Sequence, residues 1–570
     1  MTFSVVQRRA LIGRLRALGV TRGEIFRLVV GEATIIGALG TGAGLVLGVL
    51  LAEGLVHLVT RTINDLYFVV SVREVTLTSW SLIKGGLLGL GTTIVGAVPP
   101  AYEATRSAVS LVLQRSEVES RTRAVVPRLV RAGIGLAVAG GGIFLIPSRS
   151  VVVGYAGILA LILSAAVLTP PAVLVGARVL RPLAERLFGV VGRMAARSVE
   201  RTLSRTGIAV AALTVAVAAT VGVGVMVESF RGTVEGWLTH TLRADVYVQP
   251  PGGIARRAES DLDPRVVDLM RSAPGVEAVA TIRRTEVESE FGRARLIAVD
   301  PTDETERAYR FVDGEAPAIW ASLRAEPGVI VSEPYQYRHR VGVGDSLPLL
   351  TDRGRRAFPV RGVFYDYGSG RGTVVMARSS YERFYDDRGI SGAAAVAAPE
   401  VSAERVAEWI RERAGSIQQV SVRSNRALRE ASLRIFDRTF TITSVLRLLA
   451  IAVAFVGIVS ALMALQLERR RELAIMRANG LTRGQLGGLV TIQTGLTGLL
   501  AGLFAIPLGL VLAYGLVFVI NKRSFGWTLE LVVGGDLLLQ GVLIGLVAAL
   551  LAGAYPAYVM RRVDPAEVLR

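Results

Sequence analysis

The sequence predicts an α-helical polytopic membrane protein with about eight transmembrane helices and one extracytoplasmic α+β domain. Three observations predict it. Of the 570 residues, 51% are hydrophobic, and mean hydropathy is +0.48. The apolar residues gather into eight runs of membrane-spanning length, near 28–56, 80–101, 129–147, 151–176, 207–227, 440–466, 488–520 and 537–560. Arginine then crowds every second segment between these runs, which places it on one side.

The charge pattern orients the chain. Net charge is +18, and arginines crowd 1–27, 101–131, 178–205, 467–487 and 561–570. The short opposite loops carry only Arg61 and Arg73, then Arg149, then Lys522 and Arg523, while acids and bases nearly balance in 229–438. Eight spans put every arginine-rich segment on one side, as positive-inside topology requires. Both termini are then cytoplasmic, and 229–438 is outside. The basic charge reads as topology and contact with anionic membrane lipid. Nucleic-acid binding is excluded, because no clustered aromatic platform or recognition motif accompanies the charge. There is no cysteine, which rules out disulfides, thiol catalysis and thiolate metal sites.

An internal repeat organises the spans. Placing Arg9 on Arg470 aligns residues 9–23 without a gap and matches Arg16/Arg477, Ala17/Ala478, Gly19/Gly480, Thr21/Thr482, Arg22/Arg483 and Gly23/Gly484. The register continues with Gly37 on Gly498 and Gly48 on Gly509. Each copy closes in Pro-Ala-Tyr, at Pro100–Tyr102 and Pro556–Tyr558, followed by a tail, "VSLVLQ" or "PAEVLR". The expected units are a first repeat at 1–116 (cassette 8–24) and an inserted hairpin with a cytoplasmic amphipathic segment at 117–205. A span at 206–228, an outer domain at 229–438 and a second repeat at 439–570 (cassette 468–485) follow. The second copy has a span, an outer segment and another span upstream of its cassette. The first copy begins at Met1, inside or just before its cassette, so truncation or a mis-assigned start is expected rather than a natural half-sized variant.

Arg193, Arg197, Arg201 and Arg205 recur every fourth residue, with Leu187, Val191, Met194 and Leu203 towards other faces. Either an interfacial helix or a positive-inside flank fits. Within 229–438, "ADVYVQP" and "AVATIRRTEVESEF" alternate as strands do. "DPRVVDLMRSAPG" is a helix capped by Asp263 with Pro264 in its first turn, and "SAERVAEWIRERAG" is a second capped helix. "GVIVSEPYQYRHRVGVGDSLPLL" and "FPVRGVFYDYGSGRGTVVMA" read as strands with glycine turns.

The repeated cassette has a local logic. In "RRELAIMRANGLTRGQ" a helix runs from Arg470 through Glu472 and Arg477, and Asn479-Gly480 supplies a left-handed stop. Thr482 caps a new helix and Gln485 completes a capping box. Gly19, Thr21 and Glu24 repeat the pattern after Arg16. A plain loop has no need of the same turn twice, so the cassette points to docking. Gly40, Gly44 and Gly48, with Gly498 and Gly509, fit close helix packing better than a dinucleotide loop, since they lie within apolar spans with no strand before them.

"RRRELAIMRANGLTRGQL", the glycine-rich span after it and the closing "YPAYVMRRVDPAEVLR" resemble the FtsX-like permease family, the membrane subunits of MacB-type ABC systems. The resemblance covers nearly the whole chain, and the outer segment is similar to the family's periplasmic core domain. It implies a bacterial plasma (inner) membrane location. It also implies a cytoplasmic ABC ATPase dimer as partner, with a periplasmic adaptor or hydrolase as a further one. Carried over, the ATPase contact falls on Arg470, Glu472, Arg477, Gly480 and Thr482, and on Arg16, Gly19 and Thr21. Leu11 stands where the second copy has Glu472, so the two docking sites are expected to differ. The implied function is mechanotransmission from a separate ATPase to the outer domain, for export or extraction of a lipoprotein, lipid or hydrophobic compound. The alternative is an FtsX-like signal transmitter that activates a cell-wall hydrolase without moving cargo.

No phosphate-binding G-x-x-x-x-G-K-[ST] occurs, and His57, His240 and His339 lack metal-site spacing. Neither a catalytic site nor a bound cofactor or metal is expected. "YGSGRG" near Gly368 reads as a hairpin or flexible loop. Glu32, Glu53 and Glu228, at or near the spans, read as interfacial or as marks of a polar path.

Overall fold

The computed structural model describes residues 15, 18–67, 78–106, 117–201, 203–251, 261–468 and 470–561. Arg16, most of the first cassette and both repeat tails lie outside them. Two long antiparallel helices open the described chain, α1 (Arg22–Tyr67) and α2 (Ser79–Arg106). The inserted pair follows, α3 (Glu117–Leu145) and α4 (Val151–Arg201), and then α5 (Leu203–Thr241), which rises out of the apolar region into the outer domain.

The outer domain begins with β1 (Val246–Gln249), α6 (Pro264–Arg271), β2 (Val276–Ser289), β3 (Gly292–Val299), α7 (Asp303–Arg307), α8 (Ala316–Ala325) and β4 (Val329–Ser332). It continues with α9 (Glu333–His339), β5 (Ser346–Thr351), β6 (Gly354–Phe364), β7 (Thr373–Ala377), α10 (Arg378–Phe384), β8 (Gly392–Ala397), α11 (Ala403–Ala414) and β9 (Ser421–Ser424). The chain returns through α12 (Asn425–Glu468), α13 (Arg470–Ala478) and α14 (Arg483–Tyr514). A π-helical turn (Gly515–Ile520), α15 (Asn521–Phe525) and α16 (Gly535–Arg561) complete it.

Among the described residues, seven helices are long and apolar enough to cross a membrane, and a shorter apolar stretch, Thr443–Gly457, lies within α12. The number is roughly consistent with the eight expected runs. The packed heart of the bundle is α5, α14, α16 and the first half of α4, with Val217, Ala218, Val221, Ala501, Ala505, Leu512 and Ala549 fully or nearly fully buried. Helices associate in lipid through close packing of small residues, and this core is rich in alanine and glycine for that reason. By contrast α1 and α2 present most of their apolar side chains outward, Leu39 at 72% and Leu88 at 68% exposure among them.

The outer domain is one nine-stranded sheet in the order β3-β7-β4-β6-β5-β2-β8-β1-β9, with β2 pairing also to β3. The 14-residue β2 joins two α+β subdomains. Its first half pairs with β8 beside β1 and β9, under α6 and α11, over a core that includes Val248, Met270, Ala395 and Ile410. Its second half pairs with β3, and Ser289 bridges Leu349 of β5, so a ring of six strands closes around Leu296, Leu347, Phe358 and Met376. α6 is capped as predicted, Asp263 accepting the Arg265 amide at 2.8 Å. At α11 the Ser402 hydroxyl turns instead to Glu404, at 3.0 Å.

Two further departures from the sequence reading concern α9 and α4. "EPYQYRH", read as part of a strand region, is the helix α9, ended by Arg340 in the left-handed region at φ 61°. Pro334 sits in its first turn, where a missing N–H costs nothing. Second, α4 does not run straight on from its span. Gly189, at φ 61° and ψ −142°, reverses it. Arg178 pairs with Glu200 at 3.7 Å and Arg193 with Glu185 at 3.1 Å. In a straight helix the first pair would stand about 33 Å apart. The arginine-bearing segment is therefore a return arm packed on protein, Val191, Met194 and Ala195 meeting Leu486, Leu489 and Met476.

Candidate functional site

The second cassette is a helix stop followed at once by a helix start. α13 ends with Gly480 at φ +100°. The Gly480 amide donates to Arg477 O at 3.1 Å and the Leu481 amide to Met476 O at 3.2 Å. Those two bonds define a Schellman ending, with its usual apolar contact between Met476 and Leu481 in one cluster. Thr482 then caps α14. Its hydroxyl accepts the Gln485 amide at 3.2 Å, and Gln485 Oε1 accepts the Thr482 amide at 3.0 Å.

The first copy shows the same geometry where it is described. Gly19 has φ +98° and the Val20 amide donates to Leu15 O at 3.0 Å. Glu24 Oε2 accepts the Thr21 amide at 2.8 Å, and the Glu24 amide donates to the Thr21 hydroxyl at 3.3 Å. Arg16 is outside the described residues. Arg470 opens α13, Glu472 and Arg477 are half-buried, and Asn479, Gly480, Thr482, Arg483 and Gln485 are exposed. Leu18 is 82% exposed at the tip of the first copy. A face of exposed backbone turn and polar side chains is what a partner would meet.

The cassette is bedded on the inserted segment. Ala195 is fully buried against Leu486 and Leu489, and the Ser198 hydroxyl donates to Gln493 Oε1 at 3.0 Å in a buried contact. The cassette, the start of α14 and the return arm of α4 are thus packed together.

The glycines divide. A Cβ on Gly498 would lie 2.5 Å from Ala549 Cβ and 2.6 Å from Gly545 O, and one on Gly509 would lie 2.8 Å from Val221. No side chain fits at either. At Gly40, Gly44 and Gly48 no described heavy atom lies within 4 Å of such a Cβ; on α1 the close approach is at Gly37, 2.7 Å from Thr93, and on α2 at Gly89, 2.6 Å from Thr41.

A second constellation, absent from the sequence reading, joins the outer domain to the membrane helices. Glu333, at the start of α9, is 4% exposed. One carboxylate oxygen accepts the Thr528 amide at 3.0 Å, and the other accepts the Thr528 hydroxyl at 2.5 Å and the Lys522 ammonium. The Tyr367 hydroxyl donates to Thr528 O at 2.6 Å, Arg310 pairs with Glu530 at 3.0 Å, and Ser229 of α5 bonds the Val532 backbone. Arg523 donates to Ile146 O and Ser150 O, both at 3.2 Å, while Arg149 stacks on Tyr337 at 4.7 Å. The loop 521–534, the tip of the inserted hairpin and α9 therefore meet in one joint. Phe525 and Trp527 stack within it at 4.9 Å, and Gly526, at φ +78°, lies against Pro334 and Tyr337. The "YGSGRG" loop is part of this joint through Tyr367 and not a loose hairpin. One signal was available in the sequence: Arg149, Lys522 and Arg523 are the basic residues of the last two short arginine-poor loops.

Comparison with known proteins assigns the class. The FtsX-like permease C-terminal model matches residues 1–109 and 444–565, and the MacB-like periplasmic core domain model matches 206–413. Along its whole length the chain is 40% identical to an uncharacterized ABC transporter permease protein of Mycobacterium tuberculosis, of which it covers 67%. Among solved structures, the periplasmic region of MacB from Actinobacillus actinomycetemcomitans aligns with 34% of this chain and 94% of its own, at 10% identity and a TM-score of 0.26. The extracellular domain of the noncanonic ABC-type transporter YknZ from Gram-positive bacteria aligns with 32% and 98%, at 10% identity and 0.23. The chain belongs to the FtsX-like, MacB-type family of ABC transporter permeases. It is a multi-pass membrane protein, and membership implies an ATPase partner.

Proposed function

We propose that a separate cytoplasmic ATPase dimer docks on the two cassettes of this permease and drives its outer domain from the inner face of the bacterial plasma membrane. Glu472, Arg477, Gly480 and Thr482 of the second copy, with Arg470, form one contact, and Arg16, Gly19 and Thr21 form the other. Both chain ends described here lie on the cytoplasmic side in this reading. The carrying observation is the duplicated turn, a left-handed glycine stop and a capped restart at Gly480–Gln485 and again at Gly19–Glu24. Its stiffness supports transmission: a capped, Schellman-closed turn bedded on Ala195 and Leu489 moves α14 with it. At the outer end, α14 leads through the π turn into the loop that holds Glu333. The work delivered there is export or extraction of a lipoprotein, lipid or hydrophobic compound.

The test is charge reversal, Glu472→Arg, in the full chain. The account expects loss of ATPase co-purification and of permease-stimulated ATP hydrolysis, with the outer domain still folded. Unchanged association and stimulation would remove the docking assignment.

A further inference from the structure

Arg447 stands on α12 within the apolar stretch Thr443–Gly457. Among the described residues no carboxylate pairs with it and no hydrogen bond engages its guanidinium. A charge left unpaired at membrane depth is costly and marks a site. It faces a cleft of about 310 Å³ between α5, α12 and α16, lined also by Thr220, Ser444, Gln540, Leu448, Leu537 and Ile544. Thr220 is buried at the back, while Ser444 and Gln540 are exposed at the mouth, so the cleft opens sideways towards lipid.

Its depth is fixed by two markers. Arg231 of α5 and Asp437 of α12 pair at 3.0 Å above it, and Arg447 is about 15 Å of helix below Asp437. The side chain extends back outward: a Cβ on Gly224 would lie 3.6 Å from an Arg447 terminal nitrogen. Gly224 is about 10 Å of helix below Arg231, so the guanidinium lies outward of its own Cα, the direction in which snorkelling arginines extend.

We propose that this cleft binds the headgroup of an anionic phospholipid of the outer leaflet. Arg447 takes the phosphate, whose geometry the guanidinium fork matches. Gln540 and Ser444 hydrogen-bond the polar headgroup at the mouth, and the acyl chains follow Leu448 and Ile544. The inference rests on the membrane placement of these helices and not on ATPase docking or on any cargo.

The test is lipid retention by the full chain in detergent, read by native mass spectrometry with added phosphatidylglycerol or phosphatidylcholine. Wild type should retain phosphatidylglycerol preferentially. Arg447→Gln should bind it about tenfold or more weakly, the loss expected for one charge-assisted contact. Arg447→Lys keeps the charge and should keep the preference for phosphatidylglycerol. Gln540→Leu, at the exposed mouth, should lower retention several-fold without touching the charge, and serves as the second reading should Arg447→Gln fail to fold. Wild-type retention in Arg447→Gln or in Gln540→Leu, or equal binding of the two lipids, overturns the proposal. Displacement by inorganic phosphate at millimolar concentration would mean a bare anion site and would also overturn it. Failure on any of these counts leaves the permease reading intact, because ATPase co-purification is read separately.

Discussion

The carboxylate of Glu333, 4% exposed, accepts the Thr528 amide at 3.0 Å and the ammonium of Lys522. Glu333 belongs to the outer domain, and both of its partners belong to the segment between the last two membrane helices. A buried acid with a single counter-charge is expensive to orphan, because the remaining charge keeps its desolvation cost.

Breaking this contact from one side is therefore expected to destabilise more than removing both charges. Lys522→Met should lower stability by about 2–3 kcal/mol, below the fully buried range because Lys522 is 32% exposed. Glu333→Gln should cost less, since the amide still accepts from Thr528. The double variant Glu333→Gln, Lys522→Met should recover part of the loss. Thermal unfolding of the full chain in detergent checks this, and strictly additive losses would contradict it.

Two glycines that look alike in sequence should behave differently. Gly498→Val pushes a side chain against Ala549 and the Gly545 carbonyl, and overpacking a helix seam of this kind should cost about 3 kcal/mol or more. Gly40→Ala meets open space and should stay within about 0.5 kcal/mol of wild type. The yield of monodisperse protein and its melting temperature report both.

Removal of the cap at the second cassette should loosen it without unfolding the bundle. Thr482→Ala loses the hydroxyl that accepts the Gln485 amide, a change worth about 1 kcal/mol. Faster hydrogen exchange at the amides of 483–486, with the rest of α14 unchanged, is the expected readout. A companion drop in ATPase stimulation is expected if the turn transmits force.

The outer domain carries an acid-sensitive contact. Burial opposes ionisation of Asp387, but the Gly389 amide at 2.8 Å, the Tyr381 hydroxyl at 2.8 Å and Arg283 at 2.7 Å outweigh it and hold its pKa below the usual value. A depressed carboxylate pKa gives stability that is present above the unfolded-state value and is lost as pH falls through the folded one. Stability should thus fall below about pH 4, and Asp387→Asn should be less stable than wild type at pH 7 yet flatten that acid limb. An unchanged acid limb in the variant would contradict this.

Much of the architecture was legible because membrane helices announce themselves by length and apolar composition. The cassette was legible down to its hydrogen bonds, since Gly480, Thr482 and Gln485 encode a stop, a cap and a capping box within six consecutive positions. The joint at Glu333 was not. Its members are far apart in the chain, and "SEPYQYRH" has the aromatic content of a strand, which hid a helix that Pro334 starts. The reversal at Gly189 was hidden for a similar reason: one glycine within a continuous helical pattern carries no local sign that Arg178 will meet Glu200. Gly40, Gly44 and Gly48 show the opposite limit. Their spacing fits a packing seam, yet the seam of α1 with α2 runs through Gly37 and Gly89.

The central claim is that ATP acting on the cytoplasmic cassettes moves the outer domain. The chain has no cysteine, so spin labels at Glu53→Cys on α1 and Glu412→Cys on α11, both exposed positions, report without background. Their distance is to be measured by double electron–electron resonance in the complex with the ATPase, with and without a non-hydrolysable ATP analogue. The account predicts a shift of about 5 Å or more between the two states, abolished by Glu472→Arg. An identical distance distribution with and without nucleotide would contradict it.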